Sequence, residues 1–318
     1  MGEAHHGVIL AGTSGSSIDP TVNTLNAGSW FQFGSAPGAD ASARKVELVR
    51  LGAGRPKFLP SQLAAAAQAN PGRSWIIGNE PNVSGQDRLP NGSADMALLV
   101  DEFESYRAAI KGADPTARIV AGNVLNFDLG APSTCGCGGY DRGVDWVTGF
   151  RDLYRQRYGH EPLDPARDAW GMHAYPLNWN GNPTVADSMT DYAKAIDQIQ
   201  KFRLLLNDLY GTNVMPLWVT ELGVIWRYEW LAEDPSNPDR IIPTGADRQD
   251  LAQTFLTQML SWLRANSTAL KIERWYIYGS NPAPEPYTDR FTGIFLMSSG
   301  ARSPMGDIFH QSTLAAIP

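Results

Sequence analysis

Short apolar runs recur along the chain and alternate with segments of helical periodicity. A run of this kind without polar alternation is typical of a strand that is buried on both faces, as in a parallel sheet. The runs lie at residues 7–12, 28–34, 45–54, 73–80, 117–123, 169–175, 215–223 and 274–280. Because strands that alternate with helices form right-handed βαβ units, the pattern predicts a parallel sheet of eight strands.

Helices are predicted between most of these strands. The clearest has apolar residues at helical spacing from Met96 to Ile110, with Gly112 as its predicted C-terminal cap. Predicted helices cover residues 61–69, 93–111, 144–158, 188–210, 246–266 and 304–314. Residues 13–27 and 35–44 lack this pattern and are predicted to be loops or short turns, so the first two strand–helix units are irregular.

A chain of 318 residues with this order of elements has the size of a (β/α)8 barrel. We therefore predict an α/β fold, a (β/α)8 TIM barrel with irregular first two units. No internal repeat or linker interrupts the pattern, so residues 1–318 are predicted to form a single barrel domain. Residues 234–243 and 280–292 are predicted to be long loops after strands seven and eight.

The overall composition narrows the classes of partner. Apolar residues make up 43% and charged residues 19% of the chain, as in a globular protein. The net charge of −7 argues against nucleic acid or an anionic membrane as a partner. No apolar stretch is long enough to span a bilayer. The first residues lack the features of a signal peptide, so the protein is expected to be cytoplasmic, or extracellular if a leader was removed.

The two cysteines, Cys135 and Cys137, lie close together in a glycine-rich segment. Two thiols supply too few ligands for a closed zinc site, and no histidine lies nearby in the sequence. A local disulfide and a pair of free thiols both remain open. No metal and no cofactor is expected.

A glutamate ends both the fourth and the seventh predicted strand. Glu80 lies in Trp-Ile-Ile-Gly-Asn-Glu-Pro-Asn, where Pro81 stops the chain from continuing as a helix, and Glu221 lies in Leu-Trp-Val-Thr-Glu-Leu-Gly. The C-terminal ends of barrel strands face one pocket, so the two carboxyl groups are expected to meet there. A retaining glycosidase uses such a pair, about 5–5.5 Å apart, as nucleophile and acid/base. A structural ion pair at the strand end is the alternative.

These two motifs resemble those of the retaining glycoside hydrolases of clan A, which carry Asn-Glu, often Asn-Glu-Pro, after strand four and a nucleophilic Glu after strand seven. The resemblance implies that Glu80 is the acid/base, Glu221 the nucleophile and Asn79 the partner of the sugar 2-hydroxyl group. The Asn-Glu-Pro, His-x-Tyr and Thr-Glu-Leu motifs look most like the small glycosyl hydrolase catalytic-core group. That group includes endo-β-1,3-glucanases.

Three further side chains are predicted to lie in the same pocket. Arg50 is a cation in an apolar strand, where it would be costly to bury alone, and we expect it to face Glu221 and keep that carboxylate ionised. A structural salt bridge inside the barrel is the alternative. Clan members usually carry this arginine on strand two, whereas Arg50 is on strand three by this count, so either the count is off by one at the start or the match fails. His173 and Tyr175 lie two residues apart in strand six, so both side chains point the same way, towards the pocket.

Aromatic side chains are candidates for stacking on sugar rings. Clan A barrels commonly place a tryptophan on the last strand as the floor of the sugar subsite, and Trp275 is preferred for this position over Tyr278. Other tryptophans at strand ends or in top-face loops could stack on pyranose faces, although ordinary packing is the alternative. These candidates are Trp30, Trp179, Trp226 and Trp230.

The sequence thus predicts a carbohydrate-active enzyme that hydrolyses a β-linked polysaccharide or oligosaccharide by double displacement. Glu80 is expected to be kept protonated by nearby negative charge, and Glu221 to be ionised by Arg50 or by hydroxyl donors. A transglycosylase with the same pair is one alternative, and a carbohydrate-binding barrel without activity is another. An unrelated barrel enzyme is disfavoured because residues 279–286 are rich in proline and do not form a glycine-rich phosphate loop.

Overall fold

The computed structural model describes residues 5–10, 18–52, 58–83, 86–87, 96–129, 141–178, 184–235, 237–278, 296 and 300–315. Eight strands form one sheet: β1 (His6–Ile9), β2 (Ser29–Phe31), β3 (Glu47–Val49), β4 (Ser74–Ile77), β5 (Arg118–Leu125), β6 (Ala169–Ala174), β7 (Leu217–Leu222) and β10 (Ile272–Ile277). The strands are parallel, as the sequence predicted. Their order in the sheet is β2-β1-β10-β7-β6-β5-β4-β3. A bridge between Trp30 and Lys45 joins the two outermost strands, so the sheet nearly closes into a barrel.

Helices cover the outside of this sheet. They are α1 (Ile18–Leu25), α2 (Pro60–Ala69), α3 (Met96–Ala113), α4 (Gly143–Tyr158), α5 (Val185–Met189), α6 (Tyr192–Tyr210), α7 (Gln249–Asn266) and α8 (Pro304–Leu314). The (β/α)8 architecture is confirmed, and the predicted lack of a helix in residues 35–44 is confirmed as well. Among the described residues, no helix is both long and apolar enough to cross a membrane.

Three helix predictions were wrong in detail. The first crossover contains α1, whose buried residues Ile18, Val22 and Leu25 follow helical spacing that includes the polar Thr21. The helix predicted at residues 188–210 is split into α5 and α6, because Asp191 caps the second with a side-chain bond to a backbone amide. Helix α3 also continues past its predicted cap at residue 112 to residue 113.

The segment after β7 was predicted to be a loop and is an antiparallel hairpin. It consists of β8 (Tyr228–Asp234) and β9 (Asn237–Asp247), which pair with each other and, within the described part of the chain, with no further strand. The prolines of this segment made a strand look unfavourable. An edge strand tolerates proline, however, because its outer side makes no backbone hydrogen bonds to another strand. The other predicted loop, residues 280–292, lies outside the described residues.

Alternation along the strands creates two apolar layers. One set of side chains fills the barrel interior, and the other packs between the barrel and the helices. A third cluster covers the C-terminal end of the barrel. It consists of Val83, Leu125, Tyr175, Leu177 and Met189. This cluster adjoins the strand ends where Glu80 and Glu221 lie.

Candidate active site

Glu80 follows β4 closely and has an unusual backbone conformation. Its φ angle is +48°, in the left-handed region, which costs an L-residue roughly 1–2 kcal/mol. Two backbone bonds hold it there: its amide donates to the Asn123 carbonyl at 3.0 Å, and its own carbonyl accepts from Val83 at 2.9 Å. Strain that is held in this way is typical of functional sites.

Glu221 lies within β7, directly opposite His173 of β6. Its side chain is 5% exposed, whereas that of Glu80 is 13% exposed. The two glutamates therefore enter the site differently: Glu221 from inside the barrel wall, and Glu80 from a turn above it.

His173 lies between the two carboxyl groups. Its Nδ1 is 3.0 Å from Oε1 of Glu80 and 3.4 Å from Oε2 of Glu221. One oxygen of each glutamate and one imidazole nitrogen all lie within 4.8 Å of one another. Tyr175 donates its hydroxyl hydrogen to Oε2 of Glu221 at 2.7 Å. The predicted placement of both β6 side chains in this site agrees with the geometry.

A pocket of about 400 Å³ opens above this cluster. Both glutamates, Tyr175, Asn79 and Arg50 line it, as the sequence suggested. The remaining lining residues are Phe33, Gln86, Ile225 and Tyr278. The pocket therefore combines two carboxyl groups, polar donors and aromatic rings, the mixture that a sugar requires.

Burial dominates the electrostatics of Glu221. It raises the pKa of this carboxyl group to about 7, and the charge of Glu80 acts in the same direction. His173, the Tyr175 hydrogen bond and Arg50 act against it. Burial also opposes protonation of His173, but the nearby charges of Glu221 and Glu80 outweigh it and raise the pKa of the imidazole. The two carboxyl groups thus make His173 easier to protonate than burial alone would allow.

The expectation that Arg50 and hydroxyl donors would depress the pKa of Glu221 was wrong in its net direction. Glu221 is the more deeply buried of the two glutamates, and burial penalises its charged form. Tyr175 does supply a hydroxyl hydrogen bond, so the donors exist but do not cancel the effect of burial.

Arg50 lines the pocket, yet its guanidinium binds another residue. Its Nε donates to Oδ1 of Asp87, and its Nη2 donates to Gln86 at 2.8 Å. The alternative, a structural salt bridge, is therefore the observed arrangement. Asp87 was not predicted, because it lies 37 residues away in a segment that carries no motif. Its buried carboxylate also accepts hydrogen bonds from the backbone amides of Leu51 and Asn79, at 2.9 and 2.6 Å.

Comparison with known proteins identifies the family. Residues 10–309 match the family model described as glycosyl hydrolase catalytic core. The chain belongs to this family. A comparison with curated proteins found no significant match.

Solved structures with the same fold include several glycosidases. An endo-β-1,3-glucanase from Amycolatopsis mediterranei in complex with laminaritriose is 18% identical, with a TM-score of 0.59 over 98% of this chain and 100% of that one. A β-xylosidase from Caulobacter crescentus is 12% identical, with a TM-score of 0.59 over 96% and 67% of the two chains. An exo-β-1,3-glucanase from Aureobasidium namibiae is 10% identical, with a TM-score of 0.54 over 98% and 96%. These structures share the fold, and the family match makes the chain a glycoside hydrolase, so the predicted enzyme class is confirmed.

Two residues of this glycosyl hydrolase catalytic core that were predicted to stack on sugar rings do not lie in the pocket. Trp275 is fully buried between the barrel and the helices, where its ring contacts those of His5 and His6. Trp30 is 1% exposed in the same layer, with the Lys45 ammonium 5.9 Å from its ring. Both predictions were wrong because these side chains point out of the barrel, which the sequence alone could not fix.

Tyr278, the less preferred candidate on the last strand, does face the pocket. It lines the pocket and packs between Tyr175 and Phe33, with ring centroids 6.4 and 6.2 Å away. Trp226 is partly buried against the C-terminal apolar cluster and is not a lining residue of the pocket. Trp230 lies on the hairpin and is 50% exposed.

Phe33 and Ile225 were not predicted, although both lie at or just after strand-end runs in the sequence. Trp179, Cys135 and Cys137 lie outside the described residues.

Proposed function

We propose that this glycoside hydrolase cleaves a β-1,3-linked glucan with net retention of configuration, with Glu221 as nucleophile and Glu80 as acid/base. One observation carries the proposal: carboxyl oxygens of the two glutamates lie within 4.8 Å of each other. Retaining enzymes hold their carboxyl groups about 5–5.5 Å apart, whereas inverting enzymes need about 6.5–9.5 Å to admit a water molecule. The short separation therefore supports double displacement.

The position and the exposure of each glutamate support its assigned role. Glu221 is fixed by the Tyr175 hydroxyl group and shielded from solvent, which suits a nucleophile that must attack one carbon atom in one direction. Glu80 is the more exposed of the two and lines the open pocket, where it can reach a leaving oxygen and later a water molecule. Asn79 lines the pocket beside it and is assigned to the sugar 2-hydroxyl group.

In the first step, one carboxylate oxygen of Glu221 bonds to the anomeric carbon while Glu80 gives its proton to the departing glycosidic oxygen. In the second step, Glu80 removes a proton from water, and the water oxygen displaces Glu221 from the anomeric carbon. His173 donates from Nδ1 towards the carboxyl pair and stabilises negative charge there throughout both steps. The first product then has the same anomeric configuration as the substrate.

The β-1,3-glucan substrate class is supported by two of the structural relatives, which act on this linkage by their description. The ring pair of Tyr278 and Phe33 on the pocket wall fits a glucosyl ring, whose faces are apolar. The positive charge of Arg50 is compensated by buried Asp87, so the wall offers hydrogen-bond donors without a net charge to attract an anionic glycan.

The test is hydrolysis of a panel that contains laminarin, cellulose oligosaccharides, xylan, mannan and galactan, with chromatographic analysis of the products. The wild type is expected to release laminari-oligosaccharides, whereas Glu80→Ala and Glu221→Ala are expected to lose activity by at least about a thousandfold. Glu104→Ala is the control, since Glu104 pairs with Arg107 on the outer helix layer. Cleavage of another polysaccharide would correct the substrate class, and full activity in either glutamate variant would overturn the mechanism.

A further inference from the structure

The two strands that flank β6 each contain one extra residue near the site. The pairing of β5 with β6 skips Asn123, and the pairing of β7 with β6 skips Thr220. Such bulges redirect the side chain of the extra residue and are common beside active sites. The φ angle of Asn123 is +51°, a left-handed conformation that asparagine adopts more readily than most residues.

The side chains of these two bulge residues bind each other across β6. The Thr220 hydroxyl group donates to Oδ1 of Asn123 at 2.9 Å, and both residues are buried. Nδ2 of Asn123 donates to the Gly78 carbonyl at 3.2 Å. Because the Nδ2 side faces a carbonyl oxygen, which accepts only, the orientation of the amide is determined by its surroundings.

The pair is connected to both glutamates through the backbone. The Asn123 carbonyl accepts the amide hydrogen of Glu80 at 3.0 Å, and Thr220 directly precedes Glu221. Asn123 therefore binds Gly78 and Glu80, the residues on either side of Asn79 after β4. It also accepts the hydrogen bond from Thr220 of β7. A single buried residue joins the two strand ends that carry the carboxyl groups.

β6 makes room for this connection at Gly171. A Cβ atom at this position would lie 2.0 Å from Oδ1 of Asn123, a distance that could be relieved only by displacing the amide. Gly171 pairs with Gly122, directly before the bulge of β5, and its missing side chain leaves room for the Asn123 amide.

We propose that the Asn123–Thr220 hydrogen bond is a positioning device that sets the separation of the two glutamates, and that Asn123 and Thr220 are positioning residues for the hydrolytic reaction. The inference rests on the proposed function of Glu80 and Glu221. Asn123 and Thr220 are buried, and neither is among the residues that line the pocket. Their role is to keep one carboxyl group within reach of the anomeric carbon while the other reaches the glycosidic oxygen.

The test uses Asn123→Gly, Thr220→Val and the double variant. Glycine retains the left-handed backbone and the carbonyl that binds Glu80, and valine retains the shape of threonine. Both changes remove the Asn123–Thr220 bond, and each also removes one contact with a backbone carbonyl, that of Gly78 or that of Met172. Each single variant is expected to lower kcat about 10- to 100-fold with KM changed less than about threefold, because misplaced reacting groups slow the chemical step. The double variant is expected to lose less kcat than the product of the two single losses, since both single variants remove the same Asn123–Thr220 bond.

A pH–rate profile separates positioning from simple stabilisation. The charge of Glu80 raises the pKa of Glu221, so a wider separation should move the acidic limb of the profile to lower pH. A variant that is only less stable would keep the wild-type profile at temperatures well below its Tm. Thr220→Ser retains the hydroxyl group and is expected to keep most of kcat.

Asn126→Gly is the matched control. Asn126 is also fully buried and left-handed, at +47°, but neither atom of its side-chain amide has a hydrogen-bond partner among the described residues. It is expected to keep the wild-type kcat. Wild-type kcat and pH profile in folded Asn123→Gly would overturn the inference and leave the roles of Glu80 and Glu221 intact. Loss of activity in Asn126→Gly equal to that in Asn123→Gly would also overturn it.

Discussion

The hydroxyl group of Tyr175 donates a 2.7 Å hydrogen bond to Oε2 of Glu221, and both side chains are buried. Tyr175 lies two residues beyond His173, whose Nδ1 is 3.4 Å from the same oxygen. Tyr175 thus fixes this oxygen of Glu221, while the hydrogen bond of His173 Nδ1 is made with Oε1 of Glu80 at 3.0 Å. The two side chains together connect the two carboxyl groups.

Removal of the Tyr175 hydroxyl group should show its electrostatic effect. The hydrogen bond lowers the pKa of Glu221, so Tyr175→Phe is expected to raise that pKa and move the acidic limb of the pH–rate profile to higher pH. We expect kcat to fall about 10-fold or more, with a smaller change in KM. Tyr154→Phe is the control, since Tyr154 donates to Glu104 in the outer helix layer. An unchanged acidic limb in Tyr175→Phe would contradict this account.

Substitution of His173 can distinguish the effect of its positive charge from the effect of its hydrogen bond. Asparagine can place an amide donor near the position of Nδ1 without a positive charge. Because the charge of His173 lowers the pKa of Glu221, His173→Asn is expected to move the acidic limb to higher pH and to lower kcat about 10- to 100-fold. His173→Ala should be slower still. A profile that stays in place in both variants would show that the imidazole carries no charge relevant to catalysis.

Glu221 should weaken the fold at neutral pH. Burial raises its pKa from the ordinary value of 4.5 to about 7 in the folded protein, so its favourable contribution is present below about pH 4.5 and is lost as the pH rises to about 7. Glu221→Gln removes this dependence. We expect the variant to have the wild-type Tm at about pH 4.5 and a Tm higher by about 2–4 °C at about pH 8, measured by calorimetry. A constant difference in Tm across this range would contradict the raised pKa.

The buried pair of Arg50 and Asp87 should matter for stability more than a surface pair. Asp87→Asn leaves a mostly buried guanidinium without its anionic partner and is expected to lower the free energy of unfolding by about 3 kcal/mol. Asp145→Asn is the comparison, because Asp145 and Arg142 are 57% and 53% exposed and a surface pair of this kind contributes little to stability. Equal losses in urea titrations of the two variants would show that burial does not decide the difference.

The eight strands and the two glutamates could be predicted because each depends on local sequence. Unbroken apolar runs are typical of strands that are covered on both faces. A carboxylate at the C-terminal end of such a strand is expected to lie at the mouth of the barrel. His173 and Tyr175 were found for the same reason, since residues two apart in a strand share a face.

The features that were missed depend on register and on distant contacts. Tyr276 faces the barrel interior and Trp275 does not, a choice that a shift of one residue would reverse. The bulges at Asn123 and Thr220 have no local sequence mark and appear only once β6 is paired with both neighbours. Asp87 could not be assigned to Arg50 because nothing in the sequence around it indicates which strand it will contact.

The most direct measurement is identification of the residue that becomes covalently bound to the sugar. The enzyme would be incubated with an activated 2-deoxy-2-fluoro glycoside of the sugar that it cleaves, and the labelled peptide would be sequenced by mass spectrometry. Fluorine at C2 slows release of the glycosyl-enzyme, so the account predicts one sugar per chain, attached to Glu221. A label on Glu80 or on another residue would contradict it, as would an unlabelled enzyme whose first product has inverted configuration.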